Sequence, residues 1–548
     1  MRFAFALLSL ALVACKSSST ADASGAPRVT AAPEWVEGRL PPEPAGLTPR
    51  DGGTLVVRMM SEPATLNHLD DDSFEASVFR MLARTVMDSL VELKADGTLG
   101  PGLATKWVES DDHLTTTFTL RDATFSSGEP CTARDVIATL DTVMDVTKRT
   151  ASARGELGTL ARWKALDDHT VELTWKVPSV FAIRALARLF VFSKTQLAGD
   201  WTAIGKGPIG TGPYVVKSWE RGQKLTLERR ADAKSGYLES IVFRFVKDHT
   251  AAGAVFEKGE FDLMTNITPA LWRALEKDEA STAWAKRDWN RIRSFDNSFS
   301  YVAWNERRPP FDDVRLRIAL QHLYDAKLVS KVIDLELEVP TTCPYFPGSD
   351  SCSTSLVPRT FDPGAARAWL SDAGFEDRDG DGVRERDGKP LKFSFLLPAT
   401  SVRLGRLVPM LQEQYRSAGV ELEIERVETA TLSARINKHD FDVMSRVWTE
   451  FDSDQDLFQV FHSSQIDAGS NYAGFNDAET DRLIEQIRGE FELGKRRALE
   501  RRLHERVYAL QPLMLMTNRQ SLDAAKKRVH GLQPSVAWYD LRRVWVSD

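Results

Sequence analysis

From residue 53 onward, apolar positions recur in two rhythms, alternation by two and spacing by four. Gly53–Met59 is rich in β-branched residues and predicts a strand. Val78, Leu82, Val86 and Leu90, with Met81 beside them, predict one helix presenting a stripe to a core. Two segments repeat a pattern: Trp107 to Asp111-Asp112-His113, and Trp163 to Asp167-Asp168-His169, each followed by an alternating run. They read as one hairpin design used twice. In the second, Val171, Leu173, Trp175 and Val177 fall on one face. Thr132 is a candidate N-cap, with Asp135 in the first turn of a helix carrying Val136, Ile137 and Leu140. Leu316, Ala319, Leu320 and Leu323 predict another helix. Leu483, Ile487, Phe491, Leu499, Leu503, Val507 and Leu510 predict a helix pair, or one helix broken near Gly494. Strands and helices interleave throughout, which places the chain in the α/β class.

Composition narrows the functional classes. The 548 residues carry 71 Lys and Arg against 78 Asp and Glu, a formal charge of −7. A nucleic-acid partner is not expected, because phosphate binding asks for a basic face. Hydrophobic residues make up 42%, enough for a large core. After residue 14 no apolar run reaches the ~20 residues of a membrane span.

Catalytic and metal motifs are sparse. Gly205-Lys-Gly-Pro-Ile-Gly210 matches GxGxxG, but Pro208 and Pro213 block the helix start that gives the motif meaning, so it reads as a turn. P-loop, HExxH and GxSxG patterns are absent, and the nine histidines are scattered. No enzyme activity, metal or cofactor is expected. Asp377, Asp379, Asp381 and Gly382 fit the first half of a calcium loop, but Gly388 stands where a bidentate Glu is required. The stretch to Asp387 reads as an acidic hairpin.

The amino terminus suggests export. Phe3–Ala14 is an apolar run of secretory length after Arg2. Leu12-Val-Ala-Cys15 resembles a bacterial lipobox, which implies a signal peptide at 1–14 and a lipid on Cys15. Residues 15–50, rich in Ser, Ala and Pro, read as a flexible leash with a reach of ~30–35 Å. Export implies an oxidising compartment, where Cys343 and Cys352 are expected to close a local disulfide. Cys131 is expected to be buried and inert.

Several segments together resemble the solute-binding proteins of ABC importers in the dipeptide/oligopeptide class (family 5). These are Glu62–Asn67, Leu90–Val136, Gly210–Tyr214, Gly259–Asp262, Asn305 with Pro309–Leu320, Phe361–Phe375 and Asn471–Ile484, in the family's order. The resemblance implies a type II two-lobe periplasmic-binding fold with ligand enclosed between the lobes. Lobe I would be 51–298 plus 505–548, with an inserted subdomain at 93–207, and lobe II 299–504. It implies a lipid-anchored monomer on the periplasmic side of the cell envelope, capturing peptides for a membrane permease and its ATPase. The alternatives are the same fold holding a metal chelate, haem or oligosaccharide, and, behind these, a secreted hydrolase.

Family members place a Trp in the second lobe's ligand strand and, three residues on, an Asp that pairs with the peptide amino group. Trp448 matches the first. Phe451 occupies the position of the second, with Glu450 and Asp452 on either side. The resemblance therefore implies a ligand site at Trp448, Glu450, Phe451 and Asp452, and a first-lobe loop from Asn67 to Phe74.

Overall fold

The computed structural model describes residues 47–71, 76–94, 97–277, 289–450, 452, 454–534 and 538–547. Expectations for the signal peptide, Cys15, most of the leash, Phe74 and Phe451 fall outside them.

An eleven-stranded mixed sheet organises the described residues. Thr54–Met59 pairs in parallel with Ser240–Phe245 and with Leu263–Met264. It is buried at Leu55, Val57, Arg58 and Met59, as a strand covered on both faces must be. Lys224–Arg229 and Tyr214–Glu220 add antiparallel to this half. At the other end Lys392–Pro398 pairs in parallel with Glu421–Val427 and Val443–Thr449.

Two long antiparallel strands join these halves. Trp289–Trp304 and Leu513–Lys526 pair from Trp289↔Lys526 to Ala303↔Leu513. At about 3.4 Å per residue, the 16-residue strand spans about 54 Å, long enough to thread both halves. The ladder is broken between Phe295 and Phe299, where two extra residues sit on the first strand. Such a bulge bends a ribbon and breaks its pairing locally, so it marks the waist. Beyond the waist, alternation sorts side chains cleanly. Val302 and Trp304 enter one core with Phe393, Phe395, Met514 and Met516, while Phe299, Tyr301 and Ala303 enter another with Leu396, Met444, Leu513 and Leu515.

The two Trp hairpins form a separate four-stranded antiparallel sheet ordered Ala104–Glu109, Thr115–Leu120, Thr170–Trp175, Leu160–Ala165. Its buried face joins the core of the first half through Phe118, Leu120, Val171, Leu173 and Trp175. Val177 lies past the strand end and is exposed, a correction to the four-residue stripe. Asp135 accepts the Thr132 amide at 2.8 Å, closing the cap expected there.

The helix expected through Leu90 is corrected. It spans Ala76–Leu82 and stops, with Arg84 at φ 62°. The carbonyls of Thr85 and Val86 instead accept the amides of Tyr214 and Gly212, and a continued helix would withdraw them. Val86 and Leu90 remain buried, so the apolar spacing reports burial rather than helix.

The C-terminal pattern resolves into two helices, Ala478–Gly489 and Leu493–Leu510. The second carries Leu503 and Val507 into one core, so the lobe boundary expected at 504/505 falls inside a helix that packs as a unit with the second half. Asp477 caps the first helix, accepting the Thr480 amide at 2.8 Å, and is held by Arg506 at 2.6 Å. The Arg506 hydrogen bonds lower its carboxyl to about 2. A depressed carboxyl stabilises the fold above its unfolded pKa of 3.8, and that stability drains away as pH falls through 2. Asp477→Ala is expected to cost ~1–2 kcal/mol at pH 7 and clearly less near pH 2, as read by urea denaturation at the two pH values.

Cys343 and Cys352 are joined, closing a loop with a sequence separation of 9. Ser351 within it donates to Glu500 at 2.6 Å, and His504 accepts the Ser353 amide at 3.0 Å, so the loop is moored to the long helix. Replacing both cysteines by serine is expected to lower stability by about 2–3 kcal/mol, from the entropy of a loop this short, measured as a fall in the denaturation midpoint. Cys131 is buried, and burial raises its thiol to about 12, which leaves it unreactive.

Candidate functional site

The strand Val443–Thr449 pairs with the second half of Trp289–Trp304, setting Trp448 opposite Phe299 and Thr449 opposite Ser298. The waist bulge then anchors Glu450 and Asp452. The Asn297 carbonyl accepts the Glu450 amide at 2.8 Å, and the Asn297 side-chain amide donates to the Asp452 carbonyl. Two of the expected site residues, Glu450 and Asp452, are thus fixed where the two halves meet.

Its acids differ sharply. Asp452 accepts two hydrogen bonds from Arg184, which belongs to the helix Ala182–Ala185 of the first half. Burial raises the Asp452 carboxyl, and Arg184 opposes that rise. Asp454 lies 2.8 Å from both Arg496 and Arg497. Asp456 lies 3.2 Å from Arg488. Glu450 makes no ion pair with a described residue; its oxygen accepts the Trp448 indole N–H at 3.0 Å. Burial, with Glu156, Asp456 and Asp452 nearby, pushes the Glu450 carboxyl up to about 8, against a pull from Arg188. Arg188 is itself engaged by Glu156 at 2.7 Å. Trp448 is half-buried, packed against the second-half core, and oriented by that indole contact.

Among the described residues Asn67 makes no hydrogen bond to this segment. It lies 1% exposed in the first half, where its Oδ1 accepts the Leu69 amide at 3.2 Å and closes a turn. Its Nδ2 has no hydrogen-bond partner among the described residues. The residues that meet this segment and that sequence reasoning does not name are Arg184, Arg188 and Glu156. A signal exists for the arginines: two charges spaced by four in the apolar run Phe181–Phe192.

Cavities of about 610, 540 and 250 Å³ open on the first half, and among the described residues none of 448–456 lines them. In the first of them the charges answer one another, Arg121 to Asp88 at 2.9 Å and Arg230 to Asp232 at 2.8 Å. The acidic hairpin draws the carboxylates of Asp377, Asp379 and Glu385 within 4.8 Å of one another. Backbone amides of Gly380, Asp381 and Arg378 already occupy them, at 2.8, 3.2 and 3.0 Å.

The model of bacterial extracellular solute-binding proteins, family 5 (middle), matches residues 98–468. The chain belongs to this family. Oligopeptide-binding protein AppA of Bacillus subtilis (strain 168) is 27% identical over 532 residues, covering 91% of this chain and 92% of that protein. The nickel-binding periplasmic protein of Escherichia coli (strain K12) is 27% identical over 374 residues, covering 66% and 70%. The solved structure of Bacillus subtilis AppA with a nonapeptide matches with a TM-score of 0.77 at 23% identity, covering 91% of this chain and all of that one. NikZ of Campylobacter jejuni with Ni(L-His) matches at 0.75 and 20% identity, covering 90% of this chain and 99% of that one. The fold is the two-lobe type II periplasmic-binding fold, and these relatives are named as binding proteins rather than enzymes. Among the described residues no helix is long and apolar enough to cross a membrane.

Proposed function

We propose that this family 5 protein captures a short peptide between its lobes and delivers it to an ABC permease, tethered to the cell envelope through a lipid on Cys15. The carrying observation is the inequality among the wall acids. Asp452, Asp454 and Asp456 each have a guanidinium partner, while Glu450 has none among the described residues and sits desolvated beside Trp448. A half-buried, desolvated carboxyl in that state gains most from an incoming cation. Glu450 is thus the residue that takes the ligand's ammonium group, and Trp448 supplies an apolar face next to it. Phe451, next in sequence to Glu450, is a third ligand residue on this reading. The lobes move about the waist at Phe295–Phe299, and closure excludes water from the bound peptide.

Denaturing the purified protein and identifying the released molecules by mass spectrometry tests this reading. A family of short peptides with free amino ends supports it. A single recurring metal chelate or haem sinks it and turns the proposal toward the chemistry named in relatives such as the nickel-binding protein.

A further inference from the structure

The strands Trp289–Trp304 and Leu513–Lys526 tie the lobes covalently at the waist. Away from them, a second set of contacts joins the same lobes. Ala182, Ile183, Leu186 and Leu189 sit in the core of the first lobe. Phe181, their immediate neighbour, sits in the second-lobe core with Tyr301, Leu457, Phe461 and Leu483. The Val180 amide donates to the Arg488 carbonyl at 2.9 Å. His113, at the tip of the first Trp hairpin with φ 54°, stacks on Phe491, with ring centres 3.5 Å apart and 9° between planes.

Arg184 is the polar centre of this set. It grips Asp452 through Nε and Nη2, and Nη2 also donates to the Gly97 carbonyl at 2.5 Å. Its Nη1 lies 3.9 Å from Asp454, which Arg496 and Arg497 hold from behind. Both side chains of the pair are 14% exposed, so the ion pair is largely shielded from water. Glu500 continues the chain of charges to Ser351 in the disulfide-closed loop. Arg184 therefore meets an acid that its own lobe does not supply, on a scaffold rigid behind it.

We propose that Arg184 is the positioning residue for lobe closure: it pairs with Asp452 across the gap, stabilises the closed form, and withdraws Asp452 from the ligand. This rests on the two-lobe architecture and not on the identity of the ligand. An open form hydrates both ions, which offsets much of the Coulomb gain, so the latch biases a reversible equilibrium rather than locking it. Ligand then binds a form that is already populated, and less of its affinity is spent on closing the lobes.

The test reads lobe separation in the ligand-free full chain. Val108 and Val402 are 67% and 73% exposed, in the first and second lobe. Ketone-bearing residues at these two positions carry oxime-linked spin labels, leaving every cysteine untouched, and electron–electron double resonance gives the distance distribution. The parent protein is expected to show both a long and a short distance, the short one from the paired form. Arg184→Met is expected to make the long distance the majority, and Arg184→Asp combined with Asp452→Arg to restore the short one, a rescue that a merely structural role would not give. A parent that shows no short distance, or an Arg184→Met protein as closed as the parent, overturns the proposal. Should Arg184→Met fail to fold, Asp452→Asn decides from the other side of the pair: a raised long-distance population supports the latch, and an unchanged distribution overturns it. A chain that releases no peptide but shows the Arg184 shift loses the peptide reading alone.

Discussion

Arg58→Leu is expected to remove about 3–5 kcal/mol of stability, the largest single loss in the first lobe. Arg58 lies in the strand Thr54–Met59 with no solvent exposure. Its Nε donates to the Val246 carbonyl at 3.1 Å, and its Nη1 to those of Thr265 and Asn266 at 2.7 and 3.1 Å. Val246 follows the strand Ser240–Phe245, and Thr265 follows Leu263–Met264, so one guanidinium gathers the ends of three parallel strands. Leucine fills part of the volume but leaves three carbonyls without a donor, each worth about 1–3 kcal/mol when buried. Asp523, whose charge favours the guanidinium, loses that counter-ion as well. Burial pulls the Arg58 side chain down to about 10, which still leaves it charged at neutral pH. Guanidinium denaturation reads the loss, and a variant within about 1 kcal/mol of the parent would show that water replaces the missing donor.

How far such features can be read ahead of the structure depends on their range in sequence. Alternation at Phe393, Phe395 and Leu397 and the cap at Thr132 are local, and the pattern names them. The spacing of Val78, Leu82, Val86 and Leu90 is local too, yet it misleads. Two residues past Leu82 the backbone turns to positive φ, because the distant segment Gly212–Tyr214 needs the Thr85 and Val86 carbonyls. Trp448 is reachable only through the family resemblance, since a half-buried Trp on a strand has no signature of its own. The partner of Asp452 is not reachable at all, because Arg184 lies 268 residues earlier and only the folded chain brings them together. The waist bulge is likewise a product of two strands paired over a separation no periodicity reports.

Glu450→Gln is expected to stabilise the ligand-free protein at pH 8 by about 2–4 kcal/mol and to leave it unchanged near pH 4. The sign comes from the direction of the shift. Burial raises the carboxyl from 4.5 to about 8, so the folded state binds its proton more tightly than the unfolded chain does. The resulting stability is complete below 4.5 and is lost as pH rises through 8. Glutamine keeps an acceptor for the Trp448 indole and carries no charge to desolvate, so its stability should be flat across that window. Toward a ligand with a free ammonium group the same substitution works in reverse. Binding the cation ionises Glu450, so below pH 8 the parent releases a proton on binding, and its affinity climbs with pH until the carboxyl is already ionised. The Gln variant should bind such a peptide at least about tenfold more weakly at pH 8 and show no proton release, measured by calorimetry in buffers of different ionisation enthalpy. Equal affinity of the two proteins for a free-amine peptide would remove Glu450 from the site, even with the stability difference intact.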